Sequence, residues 1–146
     1  LVPDYSKPLV THTQLDNNVI IFSLFPGMEE GLMHHLFDAP ELRSIVMRSY
    51  GSGNAPQRPW LMKLLKQASE RGVIVVNISQ CISGQVEMSR YDTGYQLKDA
   101  GVISGYDSTV EAAVTKLMYL QARYKDADKV RYYMNHSIAG EITIQE

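Results

Sequence analysis

Val73-Ile74-Val75-Val76-Asn77-Ile78 decides how this chain is read: a short run of β-branched aliphatics broken only by Asn77, entered from Gly72 and left through Ser79-Gln80-Cys81. A run this apolar and this short predicts a strand buried on both faces. Immediately upstream, Pro59 to Arg71 carries Leu61, Leu64, Leu65 and Ala68 at the spacing of one helix face, and Gly72 stands where a C-terminal cap belongs. Helix and strand together make part of a βαβ unit, so a further strand is needed before the helix. Ser44-Ile45-Val46-Met47-Arg48-Ser49 supplies it, joined to the helix by the glycine-rich turn Gly51-Ser52-Gly53-Asn54.

The same alternation extends outward. Val19-Ile20-Ile21-Phe22-Ser23-Leu24-Phe25 reads as another buried strand, ended by Pro26-Gly27. Met28 to Phe37 follows as a helix with Leu32 and Leu36 on its inner face and with Glu29 and Glu30 in the first turn, where the helix dipole favours negative charge. Asp38-Ala39-Pro40 ends it. Downstream, periodicity fades from Ser79 to Ala100, and Gly101 to Gly105 reads as a short fourth strand. Ser108-x-x-Glu111 has the form of a capping box for a helix that turns Val110, Val114, Leu117 and Met118 inward. A last helix from Ala127 to about Asn135 and a strand-like Gly140 to Ile144 complete the reading. Buried strands alternating with amphipathic helices predict an α/β domain of three layers: a small, mostly parallel sheet of about four strands flanked by helices, flavodoxin- or Rossmann-like.

Composition bounds the function. At 146 residues and 45% hydrophobic content the chain has the size of one domain with a core of its own. Lys+Arg 14 against Asp+Glu 16 gives a formal net charge of -2, which offers no electrostatic footprint for nucleic acid or an anionic membrane. The single cysteine, Cys81, excludes an internal disulfide framework and fits a reducing compartment, so the expected location is cytoplasmic. No apolar run is long enough to span a bilayer as a helix. The opening Pro3-Asp4-Tyr5-Ser6-Lys7-Pro8, without a preceding Met, reads as a linker cut from something larger.

In open α/β sheets ligands gather beyond the carboxyl ends of the strands, and there the chain turns polar. Arg48, Ser49, Tyr50 and the Gly51-to-Pro56 loop follow one strand; Asn77, Ser79, Gln80, Cys81, Ser83 and Gly84 follow the next. Glycines flanking Ser52 allow main-chain N–H groups to turn toward an anion, or they serve a tight turn and nothing more. Gly51-x-Gly53 begins the dinucleotide pattern, but Pro56 stands at its third glycine and no acid for a ribose follows the next strand, so no cofactor is expected. Arg48 either reaches a ligand or snorkels to water. Cys81 reads by default as a small buried hydrophobe, since His34 and His35 fall mid-helix and make poor partners for a nucleophile. Tyr91, Asp92 and Thr93 occupy the irregular stretch and read as a surface turn. No metal-ligand spacing occurs.

The chain resembles the C-terminal domain of type I, cytosolic-type L-asparaginases. The resemblance rests on Arg48-Ser49-Tyr50-Gly51-Ser52-Gly53-Asn54-Ala55-Pro56, on Arg71 through Cys81, on Ser83-Gly84 and Tyr91-Asp92-Thr93-Gly94, and on Gly101 through Leu117 with the closing Gly140-Glu141. It spans about Pro26 to Glu141 and departs from the usual pattern at Ser108, where the family has methionine, and at Ser79, where threonine is common. It implies a division into residues 1–17, an interdomain linker-like segment, and 18–146, the C-terminal domain.

It also implies an amidohydrolase that converts L-asparagine to L-aspartate and ammonia through a threonine nucleophile. That machinery belongs to the family's N-terminal domain, whose T-G-G-T-I and H-G-T-D-T signatures do not occur here, so this chain alone is expected to be inactive. Two contributions remain for a C-terminal domain. One is a regulatory asparagine pocket, matched by Arg48, Gly53, Asn54, Ser79 and Cys81; the other is contact between subunits of a dimer or tetramer, with Tyr91 matching a tyrosine that approaches a neighbouring active site. The implied partners are therefore L-asparagine, the N-terminal domain and further copies of the chain. The alternatives are a stand-alone small-ligand module and a subunit of a glutamine-amide amidotransferase, which shares the architecture. A phosphoacceptor receiver would want acids where Phe25-Pro26-Gly27 stands.

Overall fold

A computed structural model describes residues 6–88 and 92–143. The order along the chain is β1 (Val19–Ser23), α1 (Glu30–Phe37), β2 (Ser44–Ser49), α2 (Pro59–Glu70), β3 (Ile74–Ser79), α3 (Asp92–Asp99), β4 (Ile103–Ser104), α4 (Val110–Arg123) and α5 (Ala127–Met134). The strands form one parallel sheet in the order β1-β2-β3-β4. Because each crossover steps the same way, right-handed connections put α1, α2 and α3 on one face. Met33, Phe37, Leu61, Leu64, Leu65, Ala68 and Leu97 from those helices close one core over Ile45, Met47 and Val75. The other face, bearing Val46, Ile74, Val76 and Ile78, is closed by Ala113, Leu117 and Leu120 of α4 and by Val130 and Met134 of α5. This is the expected three-layer α/β arrangement. Its strand order never reverses, so no switch-point crevice splits the sheet.

The central elements fall where the sequence puts them. β3 is buried along its whole length, and α2 buries Leu61, Leu64, Leu65 and Ala68. Gly72 takes φ 87, and Val73 N–H returns to the Ala68 carbonyl at 3.0 Å, closing α2 with a left-handed cap.

The margins differ from expectation, each for a physical reason. β1 is an edge strand, so Ile21 is 48% exposed rather than buried. α1 starts at Glu30, with Glu29 as its N-cap, and buries Met33 and Phe37, the latter edge-on to Phe22 at 5.6 Å. Leu32, at 70% exposure, and Leu36 therefore point outward. The cap of α4 lies one residue beyond the expected box: Thr109 Oγ1 accepts from Ala112 N–H at 3.2 Å, while Ser108 N–H is spent on the Gly105 carbonyl. Leu117 is buried, whereas Val110, Val114 and Met118 are only half-buried. α3 occupies part of the stretch read as irregular, and Thr93 within it is buried rather than on a surface turn. Residues 140–143 form no strand, and Ile144 lies outside the described residues.

The segment before β1 is anchored near its end. Asp16 N–H donates to the Met118 carbonyl at 3.0 Å, and the Asp16 carboxylate pairs with Arg43 at 2.7 Å. His12 stands edge-on to Tyr119 and takes the Arg123 guanidinium at 2.8 Å.

Candidate functional site at the carboxyl ends of the strands

Residue parity sorts the rim before any contact is considered. In β2 and β3, Val46 and Ile78 face α4 and α5, whereas Met47 and Val75 face α1 and α2. Alternation then places Arg48 on the α4 side and Asn77 and Ser79 on the α2 side. The strands end together, with Ser23 opposite Arg48 and Ser49 opposite Ser79.

On the α2 side the side chains hold a loop. Tyr50 and Asn54 exchange both backbone hydrogen bonds at 2.8 Å, and Gly53 N–H also donates to the Tyr50 carbonyl at 3.0 Å. The amides of Gly53 and Asn54 thus turn inward, and of the two readings left open for the glycines the tight turn is the one these amides serve. Gly53 takes φ 108, and a Cβ there would lie 2.8 Å from Val86 Cγ1, so only glycine fits. Asn77 Nδ2 donates to the Gly53 carbonyl at 3.1 Å, and Ser79 Oγ donates to the Gly51 carbonyl at 2.5 Å while accepting from Cys81 N–H at 3.0 Å.

Gly53, Asn54, Ser79 and Cys81 are therefore brought together by one hydrogen-bonded cluster. Cys81 is a free, exposed thiol, not the buried hydrophobe expected by default. Gln80, which the sequence gave no special weight, staples three segments: its N–H meets the Ser49 carbonyl, and its Nε2 donates to the Leu24 and Arg48 carbonyls at 2.8 and 2.9 Å. No periodic signal could have singled it out.

Arg48 is joined to this cluster through its carbonyl, and its side chain lies apart from it. The half-buried guanidinium gives one hydrogen bond, Nη1 to Ser23 Oγ at 3.3 Å, and its buried Nε has no partner. Asn77 Oδ1 and Tyr50 Oη are likewise buried without partners at this end of the sheet, as are Ser44 Oγ and both side-chain polar atoms of Gln121 at the other. Tyr91 lies outside the described residues. Among the described residues no group of three or more His, Cys, Asp or Glu converges as metal ligands would, and no helix is long and apolar enough to cross a membrane.

The family described as Glutaminase/Asparaginase C-terminal domain matches residues 18–134. The chain belongs to that family. L-asparaginase 1 of Escherichia coli is 39% identical over 141 residues, covering 97% of this chain and 41% of that protein. The 60 kDa lysophospholipase of Homo sapiens is 41% identical over 141 residues, covering 96% of this chain and 24% of that protein. In three dimensions the crystal structure of L-asparaginase I from Vibrio cholerae overlays with a TM-score of 0.83 at 42% identity, covering 88% of this chain and 39% of that one. This asparaginase-type domain thus spans about two fifths of these two bacterial L-asparaginases.

Proposed function

We propose that this domain is the C-terminal part of an L-asparaginase that hydrolyses L-asparagine to L-aspartate and ammonia in the cytoplasm. The observation that carries the reading is that nearly the whole chain in sequence, and most of it in fold, matches about two fifths of an L-asparaginase. The nucleophile and its base belong to the preceding domain, and no cofactor is invoked. In this reading the domain supplies regulation and subunit contacts, and a regulatory asparagine lies across the carboxyl ends of β2 and β3, its α-carboxylate on Arg48 at the α4 side and its other polar atoms toward Asn54, Gly53, Ser79 and Cys81 at the α2 side. The unpartnered Nε of Arg48 supports that role, because a buried N–H without an acceptor gains most from a charge-assisted bond. Tyr91 is the residue assigned a contribution to the active site of a neighbouring subunit.

Ammonia release separates this from a self-sufficient hydrolase. The purified 146-residue chain is expected to release none from L-asparagine, whereas the protein that includes the preceding domain does. Release by the chain alone, persisting through further purification, would defeat the reading, as would an upstream coding sequence without the two threonine signatures.

A further inference from the structure

The sequence motif Gly140-Glu141 plays no part in the regulatory cluster, yet the structure spends considerable chemistry on it. After α5 the chain turns back along α4. Gly140, at φ 85, makes the turn, with its N–H on Ser137 Oγ at 3.0 Å. The Glu141 carboxylate accepts from Ile138 N–H and Ala139 N–H at 3.1 and 2.6 Å and meets Lys116 Nζ at 2.5 Å. Lys116 Nζ also donates to the His136 carbonyl at 2.6 Å. Two residues on, Thr143 N–H donates to Asp107 Oδ1 at 2.7 Å.

Lys116 is the reason the segment closes. It lies on α4 at 6% exposure, and Glu141 is its one carboxylate partner among the described residues. A buried ammonium is tolerated only when paired. Burial alone would raise the Glu141 carboxyl, but the Lys116 hydrogen bond and the turn amides overcome it and hold the group at about 2. Only the start of the segment is fastened further: His136 lies on the Tyr132 ring at 4.1 Å, with its Nδ1 2.6 Å from the Tyr132 carbonyl. Residues 136–140 are exposed, and Ile142 is the segment's one buried apolar side chain. Thr143, at its end, lines a cleft of about 620 Å³ along the β4 edge together with Ser104, Tyr106 and Asn135.

We propose that residues 136–143 form an electrostatic latch, held by Lys116 and Asp107, that opens and closes as one unit and, through Thr143, controls one rim of the cleft beside β4. Such a unit follows from few apolar contacts and a few charged anchors, which set its opening free energy in common.

Amide hydrogen exchange in the 146-residue chain tests it. Glu141→Gln is expected to speed exchange at Ile138, Ala139 and Thr143 together by about ten-fold or more, the weight of one charge-assisted bond, with Leu117 and the β3 amides unchanged. Asp107→Asn, which touches only Thr143 directly, is expected to speed Ile138 and Ala139 as well. In a Cys81→Ser background, a thiol introduced by Ser104→Cys is expected to react faster by a similar factor once Glu141→Gln opens the latch. Release of Thr143 alone by Asp107→Asn would reduce the latch to separate local contacts, and an unchanged reaction rate at Ser104→Cys would show that the cleft is not gated. If Glu141→Gln exposes the core amides too, the Asp107→Asn measurement decides the question by itself.

Discussion

Loop 50–54 and helix α2 are close neighbours in the chain, yet they are specified in different ways. In α2 the pattern Leu61, Leu64, Leu65 and Ala68 announces a buried face, and those residues are buried. In the loop the glycines announce unusual backbone angles, but not the destination of the N–H groups they free. Those groups turn back to the Tyr50 carbonyl. Apolar side chains are placed by a periodicity that a sequence displays. Backbone donors are placed by whichever acceptor the third dimension brings near.

The difference can be broken from the α2 side with the largest effect. Leu65→Ala empties a fully buried site between α2 and the sheet and is expected to cost about 2–5 kcal/mol, read as a lower urea midpoint with an unchanged slope. A loss under about 1 kcal/mol would mean that α2 is not packed as described.

From the loop side the effect is smaller and separates two glycines. Gly53→Ala forces a side chain into φ 108 against Val86 and is expected to cost more than about 1 kcal/mol, with the loop displaced. Gly51→Ala, at φ 50 with open space around its Cβ position, carries only the left-handed backbone cost of about 1 kcal/mol. Equal losses at the two positions would show that the contact with Val86 does not matter.

Acid is the gentlest probe. Glu141 has its carboxyl lowered from 4.5 to about 2, so the pair with Lys116 contributes fully above 4.5, weakens progressively below it as the open segment takes up a proton, and is gone once pH falls through about 2. Near about pH 4 most of the contribution survives, and the Ile138 and Ala139 amides are expected to remain protected once intrinsic exchange rates are allowed for, whereas near about pH 3 less than half is left. Loss of protection already at about pH 4 would contradict the described pairing.

The same distinction marks what was legible in the sequence. β2, α2 and β3 were readable because each is decided by a run or a face of buried aliphatic side chains. α1 was found but turned: Met33 and Phe37, not Leu32 and Leu36, pack inward, because Phe37 is positioned by Phe22 on a strand distant in sequence. α3 was missed because, apart from Gly94, it buries only Thr93 and Leu97, too few for a period to show. At the rim, the residue types Arg48, Asn54, Ser79 and Cys81 stood out, but which ones share a hydrogen-bonded cluster depended on strand register. Gln80 was hidden because its three partners are all backbone groups.

In the proposed function this rim senses asparagine while catalysis lies in a further domain. The direct measurement is the rate of ammonia release against asparagine concentration for the full-length protein, with and without Arg48→Ala. The parent curve is expected to be sigmoidal. Loss of one charge-assisted bond weakens effector binding by about ten-fold or more, so Arg48→Ala is expected to abolish the activation and leave a hyperbolic curve. A variant as sigmoidal as its parent would contradict the placement of the pocket, and a parent that is itself hyperbolic would contradict regulation by this domain altogether.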